Sequence, residues 1–202
     1  YAEMTNMDLR RKVGYRPRRR SAPRAAARHS ARRSHGEFMR LAGDERAGAW
    51  EMDTVEGSAA DSARLLTLYH RPTSFQLVVP IADGTCGAVL AGLGLVRGAL
   101  GDGGMRRVFR LVLTDNGSEF LCTAALERIV RAPVYYTYAY SAWQKGSVEN
   151  FNRQLRRHLG KGTDFSTVSA RTIARVEALI NHISRTTSLK GLSANEAFSA
   201  IA

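Results

Sequence analysis

Three acidic residues stand at places in the chain where a carboxylate is able to do chemistry. Asp53 ends the run Ala49-Trp50-Glu51-Met52-Asp53, and Asp115 follows the apolar run Val108 to Thr114. Glu149 lies in Gly146-Ser147-Val148-Glu149-Asn150, at the start of a helical pattern. Carboxylates brought together this way suit a hard divalent cation. Mg²⁺ takes oxygen ligands, keeps several waters, and commonly uses one or two protein carboxylates beside substrate phosphates. Two such ions about 4 Å apart serve the attacking and the leaving oxygen of a phosphoryl transfer. Without a cation the same carboxylates repel one another. Taken singly, each residue also has a plain structural reading. Asp53 reads as an exposed strand residue, with Glu51 or Glu56 equally eligible. Asp115 reads as the start of an Asp-Asn-Gly turn, and Glu149 as a carboxylate complementing a helix dipole.

The elements that must position these groups are legible from periodicity and punctuation. Strands are predicted at Trp50 to Val55, Leu65 to Tyr69 and Phe75 to Ile81, with Arg71-Pro72-Thr73-Ser74 turning between the last two. A glycine-weakened helix follows from Cys86 to Leu100, ended by Gly101-Asp102-Gly103-Gly104. Val108 to Thr114 reads as a central strand buried on both faces. A short helix is predicted over Glu119 to Arg131 and a fifth strand over Val134 to Tyr138. Val148, Phe151, Leu155 and Leu159 recur at helical spacing and define a helix from about Ser147 to Leu159. A last helix covers Ala170 to Ser184. This order matches an α/β ribonuclease-H-like fold: a mixed five-stranded sheet with helices on both faces. In that topology the first and fourth strands are neighbours, so Asp53 and Asp115 share one sheet edge and Glu149 enters from a helix packed across it.

The net charge of +12 is concentrated at one end. Residues 1–40 hold 12 Lys and Arg against Glu3, Asp8 and Glu37, a net +9, which leaves +3 for the rest. Residues 1–36 are therefore expected to be a basic flexible arm, and residues 37–202 the globular core. The arm includes Arg18-Arg19-Arg20 between prolines and has no hydrophobic periodicity. Its charge fits a polyanion, most simply nucleic acid. Arg outnumbers Lys 26 to 4; coding bias explains most of that ratio, although Arg is also the better fork for phosphate oxygens. No apolar run approaches the roughly 18–20 residues of a membrane span. Cys86 and Cys122 lie outside any CxxC spacing and are expected to be buried, reduced thiols of a cytoplasmic protein. The chain begins at Tyr1, as expected of a piece of a longer protein.

Three segments carry a resemblance: Trp50-Glu51-Met52-Asp53-Thr54-Val55-Glu56-Gly57, Leu113-Thr114-Asp115-Asn116-Gly117-Ser118-Glu119-Phe120, and Tyr140-Ser141-Ala142-Trp143-Gln144-Lys145-Gly146-Ser147-Val148-Glu149-Asn150-Phe151-Asn152. Together they resemble the catalytic core of DDE transposases, most closely the bacterial insertion-sequence thirty family within the retroviral-integrase-like superfamily. The 33 residues between Asp115 and Glu149 are the spacing associated with that family. The resemblance covers about residues 37–198. Ala139 and Ala142 depart from it, standing where relatives usually have prolines.

The resemblance implies that Asp53, Asp115 and Glu149 are the catalytic, metal-binding triad. It implies Mg²⁺, with Mn²⁺ able to substitute, as two ions. It further implies double-stranded DNA as partner (element ends and target), a homo-oligomer on DNA, and a bacterial protein associated with the nucleoid when acting. The implied reaction is strand cleavage followed by strand transfer. A nuclease of the same fold that only hydrolyses, and an inert DNA-binding remnant, are the alternatives. Arg156, seven residues after Glu149 on the same helical face, is implied to contact DNA. Asn152, Arg153, Lys145, Trp143, Lys161 and the arm's Arg18, Arg19 and Arg20 are further expected DNA contacts, and Asn116 is expected to orient Asp115. Tyr138, Tyr140 and Trp143 read either as base-stacking platforms or as anchors of their loop. His70 and His158 have no partner at zinc-ligand spacing and read as surface or core histidines.

Overall fold

The computed structural model describes residues 32–138 and 146–201. Its centre is a six-stranded mixed sheet in the order β1-β6-β5-β2-β3-β4. The strands are β1 (Arg33–Ser34), β2 (Trp50–Glu56), β3 (Arg64–His70), β4 (Phe75–Ile81), β5 (Val112–Thr114) and β6 (Val134–Tyr136). β2, β3 and β4 form an antiparallel meander, and β5 pairs parallel with β2 on one side and with β6 on the other. The expected five-stranded sheet gains a sixth strand, because Arg33 and Ser34 pair parallel with Tyr135 and Tyr136. Two residues are too few to show the period-2 alternation that marks a strand in sequence.

Helices cover both faces, as expected. They are α1 (His35–Arg40), α2 (Gly43–Ala47), α3 (Cys86–Val108), α4 (Thr123–Val130), α5 (Gly146–His158), α6 (Ala170–His182), α7 (Thr186–Leu189) and α8 (Ala194–Ser199). The alternation along the strands sorts the core into layers. Trp50, Met52, Leu66 and Leu68 face one way and pack with Val89, Leu93, Met105 and Leu126 of α3 and α4. Val55, Leu65 and Val78 face the other way, against Val148, Phe151, Leu155, Ile173 and Ile180 of α5 and α6. Leu111 and Leu113 join Phe38 of α1 in a third cluster, so the central β5 is buried on both faces.

Several boundaries differ from expectation for local reasons. The expected division between residues 36 and 37 falls inside α1, whose Ser34–Glu37 capping box starts the helix there. The glycine run after Leu100 interrupts the helix only at Gly101, whose φ of 67° no helical residue adopts. Helix resumes beyond it, because Met105 and Val108 have core to cover, so β5 begins at Val112 rather than Val108. The predicted helix from Glu119 splits into a 3-10 turn, Ser118–Phe120, and α4. Helices α7 and α8 follow α6, where a single last helix was expected. The thiols are half-buried rather than buried, and Cys86 Sγ donates to the Ser118 carbonyl at 3.5 Å. Burial first, then the neighbouring Cys86 thiol, pushes the Cys122 thiol up to about 12. Among the described residues no helix is long and apolar enough to cross a membrane.

The outer edge of the sheet is closed by side chains. Asn181 accepts from the Gln76 backbone N–H at 3.1 Å and donates to the Gln76 carbonyl at 2.8 Å. Glu177 accepts from the Val78 N–H at 2.7 Å. α6 thereby satisfies backbone groups of β4 that would otherwise offer a pairing edge.

Candidate active site

β2 carries Asp53 and pairs in parallel with β5, Glu51 beside Leu113. Asp115 directly follows β5, so both aspartates emerge at the same sheet edge. Thr114 ties the two strands there by donating its hydroxyl to the Met52 carbonyl at 3.2 Å. α5 lies across this edge because its apolar face is buried: Val148, Phe151 and Leu155 are at most 1 % exposed. Its other face presents Glu149, Asn152 and Arg156. These three line one open pocket of about 480 Å³ together with Asp53 and Asp115.

The pocket is electronegative. Five of its lining residues are acidic (Asp53, Glu56, Asp115, Glu119 and Glu149), and two are basic, Arg64 and Arg156. Among the described residues no three Asp, Glu, His or Cys side chains are gathered tightly enough to chelate an ion. The donor set still suits a hard divalent cation, because it consists of carboxylate oxygens facing one open space. Asn152 Nδ2 donates to Asp53 Oδ2 at 2.8 Å, and Asn152 Oδ1 is buried with no hydrogen-bond partner among the described residues. An unsatisfied buried acceptor on a residue that lines a carboxylate pocket fits a site made for a cation or its waters.

The loop after Asp115 is tightly organised. Asp115 Oδ1 accepts from the Gly117 N–H at 2.9 Å. A Cβ on Gly117 would lie 2.6 Å from Glu119 Oε2 and 3.0 Å from Asp115 Oδ1, so the residue between these carboxylates has room for no side chain. Asn116, expected to orient Asp115, holds the loop that follows it. Its Nδ2 donates to the Thr137 carbonyl at 2.6 Å and pins the loop to the end of β6.

The remaining predicted contacts divide. Arg156 is half-buried, donates to the Glu56 carbonyl and lies over the Phe165 ring. Burial lowers its pKa, opposed by the charge of Glu56. Arg153 and Lys161 are exposed and do not line the pocket. The Lys161 loop reaches the end of β2, where the Ser58 N–H donates to the Thr163 carbonyl at 2.9 Å. Trp143, Lys145, Tyr140 and Arg18, Arg19 and Arg20 lie outside the described residues. Of the two histidines, His70 is in the core and His158 is exposed.

Sequence reading passed over Glu119, Thr54 and Arg64. Glu119 is almost buried, accepts the Thr54 hydroxyl at 2.8 Å and stands 3.9 Å from the Arg64 guanidinium. Arg64 is held by Glu56 at 2.9 Å. The signal for Glu119 was present in Ser118-Glu119-Phe120, but its direction depends on the 3-10 turn.

The chain is 32% identical over 136 residues to the transposase of insertion element IS1086 from Cupriavidus metallidurans, covering 66% of this chain and 38% of that protein. It is 30% identical over 160 residues to the transposase of insertion element IS4351 from Bacteroides fragilis, covering 78% and 46%. Its fold is similar to a chain in the simian T-cell lymphotropic virus intasome bound to the PP2A regulatory subunit B56 gamma. That match has a TM-score of 0.58 at 17% identity and covers 75% of this chain and 54% of that one. The chain is thus similar in sequence to transposases of bacterial insertion elements over 66–78% of its length. It spans less than half the length of the two transposases. No protein-family model matches it. The intasome likeness carries the ribonuclease-H-like fold alone, and the sequence matches carry the relation to transposases.

Proposed function

We propose that this integrase-like core performs DDE-type polynucleotidyl transfer in DNA transposition, as part of a transposase of the insertion-sequence thirty kind. The observation that carries the reading is the convergence of Asp53, Asp115 and Glu149, from three separate elements, on one pocket. In this reading the three carboxylates hold Mg²⁺ or Mn²⁺. The bound cation supplies Lewis-acid neutralisation of the charge that develops on the scissile phosphate. The chain's own groups orient the reactants. Asn152 fixes Asp53, the Gly117 N–H fixes Asp115, and α5 carries Glu149 on a rigid, core-anchored face. Arg156, beside the carboxylates, offers a guanidinium to a phosphate oxygen, while Arg153 and Lys161 extend the positive surface along the duplex.

Water would first cleave a P–O bond at the element end, releasing a 3′-OH. That hydroxyl would then attack a target phosphate, forming a new P–O bond as one target strand is broken. Double-stranded DNA is the partner, and the basic residues of the arm, Arg18, Arg19 and Arg20 among them, add salt-dependent affinity. The protein acts in the bacterial cytoplasm as a homo-oligomer on DNA.

Incubating the full-length protein with labelled element ends, target DNA and Mg²⁺ or Mn²⁺ tests the reading. Joined product is expected, and it is expected to vanish in Asp53→Asn, Asp115→Asn and Glu149→Gln. Cleavage without joining would make the protein a hydrolysing nuclease, and neither product would make it an inert remnant. Activity that survived all three substitutions would remove the site assignment.

A further inference from the structure

Glu51 is a carboxylate that the proposed chemistry leaves unused. It is fully buried on β2, two residues before Asp53 and therefore on the same side of the strand. Both of its oxygens are engaged. Oε1 accepts from Arg71 Nε at 2.6 Å, and Oε2 accepts from the Val148 backbone N–H at 2.8 Å. Val148 is the third residue of α5 and directly precedes Glu149. The N–H groups of a helix's first turn have no partner within the helix, and a negative charge there is favourable. α5 therefore takes a cap from another element, and that element is the strand bearing Asp53.

We propose that Glu51 is a positioning residue: its carboxylate docks the first turn of α5 onto β2 and so sets where Glu149 stands relative to Asp53. The inference rests on the reading of Asp53, Asp115 and Glu149 as a metal site. β2 is a rigid reference, hydrogen-bonded to β3 along its length and to β5 at its start. From the end of β3, Arg71 braces the Glu51 side chain, with its guanidinium lying over the Phe38 ring of α1. An apolar residue would fill this buried position with no charge to desolvate. What only a long carboxylate provides is reach to the Val148 N–H together with charge toward Arg71.

Mn²⁺ titration of the full-length protein without DNA, followed by calorimetry, separates this role from simple stabilisation. A merely structural Glu51 lowers the melting temperature of the metal-free protein and leaves the Mn²⁺ midpoint of the folded protein unchanged. Glu51→Gln keeps the length but only one acceptor oxygen, so it cannot serve both the Val148 N–H and Arg71, and its midpoint is expected to rise less than that of Glu51→Asp. Glu51→Asp keeps the charge but falls one methylene short, and its midpoint is expected to rise about tenfold, the scale of losing an outer support of a metal site. Arg71→Gln, which removes the brace, is expected to raise the midpoint as well, and it carries the test if Glu51→Asp does not fold. An unchanged midpoint in Glu51→Asp, or in Arg71→Gln where it stands in, overturns the proposal, as does tighter binding by Glu51→Asp than by Glu51→Gln. Asp115→Asn run in parallel identifies which idea fails. If it abolishes Mn²⁺ binding while the Glu51 variants bind normally, positioning alone is wrong. If it leaves binding intact, the metal site itself is wrong.

Discussion

Asn152 Nδ2 donates a 2.8 Å hydrogen bond to Asp53 Oδ2, joining α5 to β2 one helical turn beyond Glu149. A carboxylate ligand is only as well aimed as the donors that hold it, and removing such a donor typically lowers metal affinity or activity by about 10–100-fold. Asn152→Leu preserves the side chain's approximate volume and removes the donor. Strand joining is expected to fall by about that factor, with the metal-free melting temperature nearly unchanged. A Mn²⁺ titration beside the joining assay checks both parts.

Gly117 has carboxylates on two sides, and no space exists there for a methyl group. Gly117→Ala must therefore displace Glu119, Asp115 or the loop itself. Overpacking of this kind costs about 1–3 kcal/mol. Where Asp115 is the neighbour that gives way, a modest fall in melting temperature accompanies a disproportionate loss of metal-dependent activity. Equal loss of stability and activity would show that the loop gives way without moving Asp115.

Much of this site was legible before any coordinates. Local patterning put Asp53, Asp115 and Glu149 at a strand, a strand end and a helix start, while their choice over Glu51 and Glu56 came from the family resemblance. The +3, +4, +4 spacing of Val148, Phe151, Leu155 and Leu159 announced the buried face of α5, and all four are buried. Glu51 was not legible in the same way. In sequence it competes with Asp53 as a candidate ligand, and only the docking of α5 across the sheet turns it toward the Val148 N–H. Helix α3 shows the limit of punctuation. A glycine run reads as a stop, but whether helix resumes depends on the core that Met105 and Val108 cover. The sixth strand is invisible for a similar reason: the pairing of Arg33 and Ser34 is decided by the free edge of β6.

His70 sets an acid limit on stability. It stacks on Trp50 at 4.8 Å, and its Nδ1 meets the Thr73 hydroxyl at 2.8 Å. Burial lowers its pKa from 6.5 to about 4. The folded protein thus keeps the imidazole neutral where the unfolded chain already binds a proton. Its contribution is complete above pH 6.5 and is lost as the pH falls toward and through about 4. The full effect amounts to about 3 kcal/mol. Urea unfolding between pH 4 and 7 should show this decline in the wild type, and His70→Phe, which retains the stacking, should flatten it.

Glu177 has the opposite slope. It sits behind β4 and accepts the Val78 N–H at 2.7 Å, and burial raises its pKa above the ordinary value of 4.5, outweighing that hydrogen bond. A raised folded pKa means that the fold favours the protonated acid. Its contribution is greatest below pH 4.5 and declines as the pH rises through the raised value. Glu177→Gln keeps an oxygen for the Val78 N–H and has no charge to bury. The variant is expected to match the wild type in acid and to exceed it at pH 8, by an amount that grows between the two. Parallel denaturant titrations at pH 4.5 and pH 8 measure that difference, and a gap that is the same at both values would mean Glu177 does not ionise differently in the fold. Because the Asn181 bonds to Gln76 carry no charge, Asn181→Ala should weaken the same edge equally at both pH values.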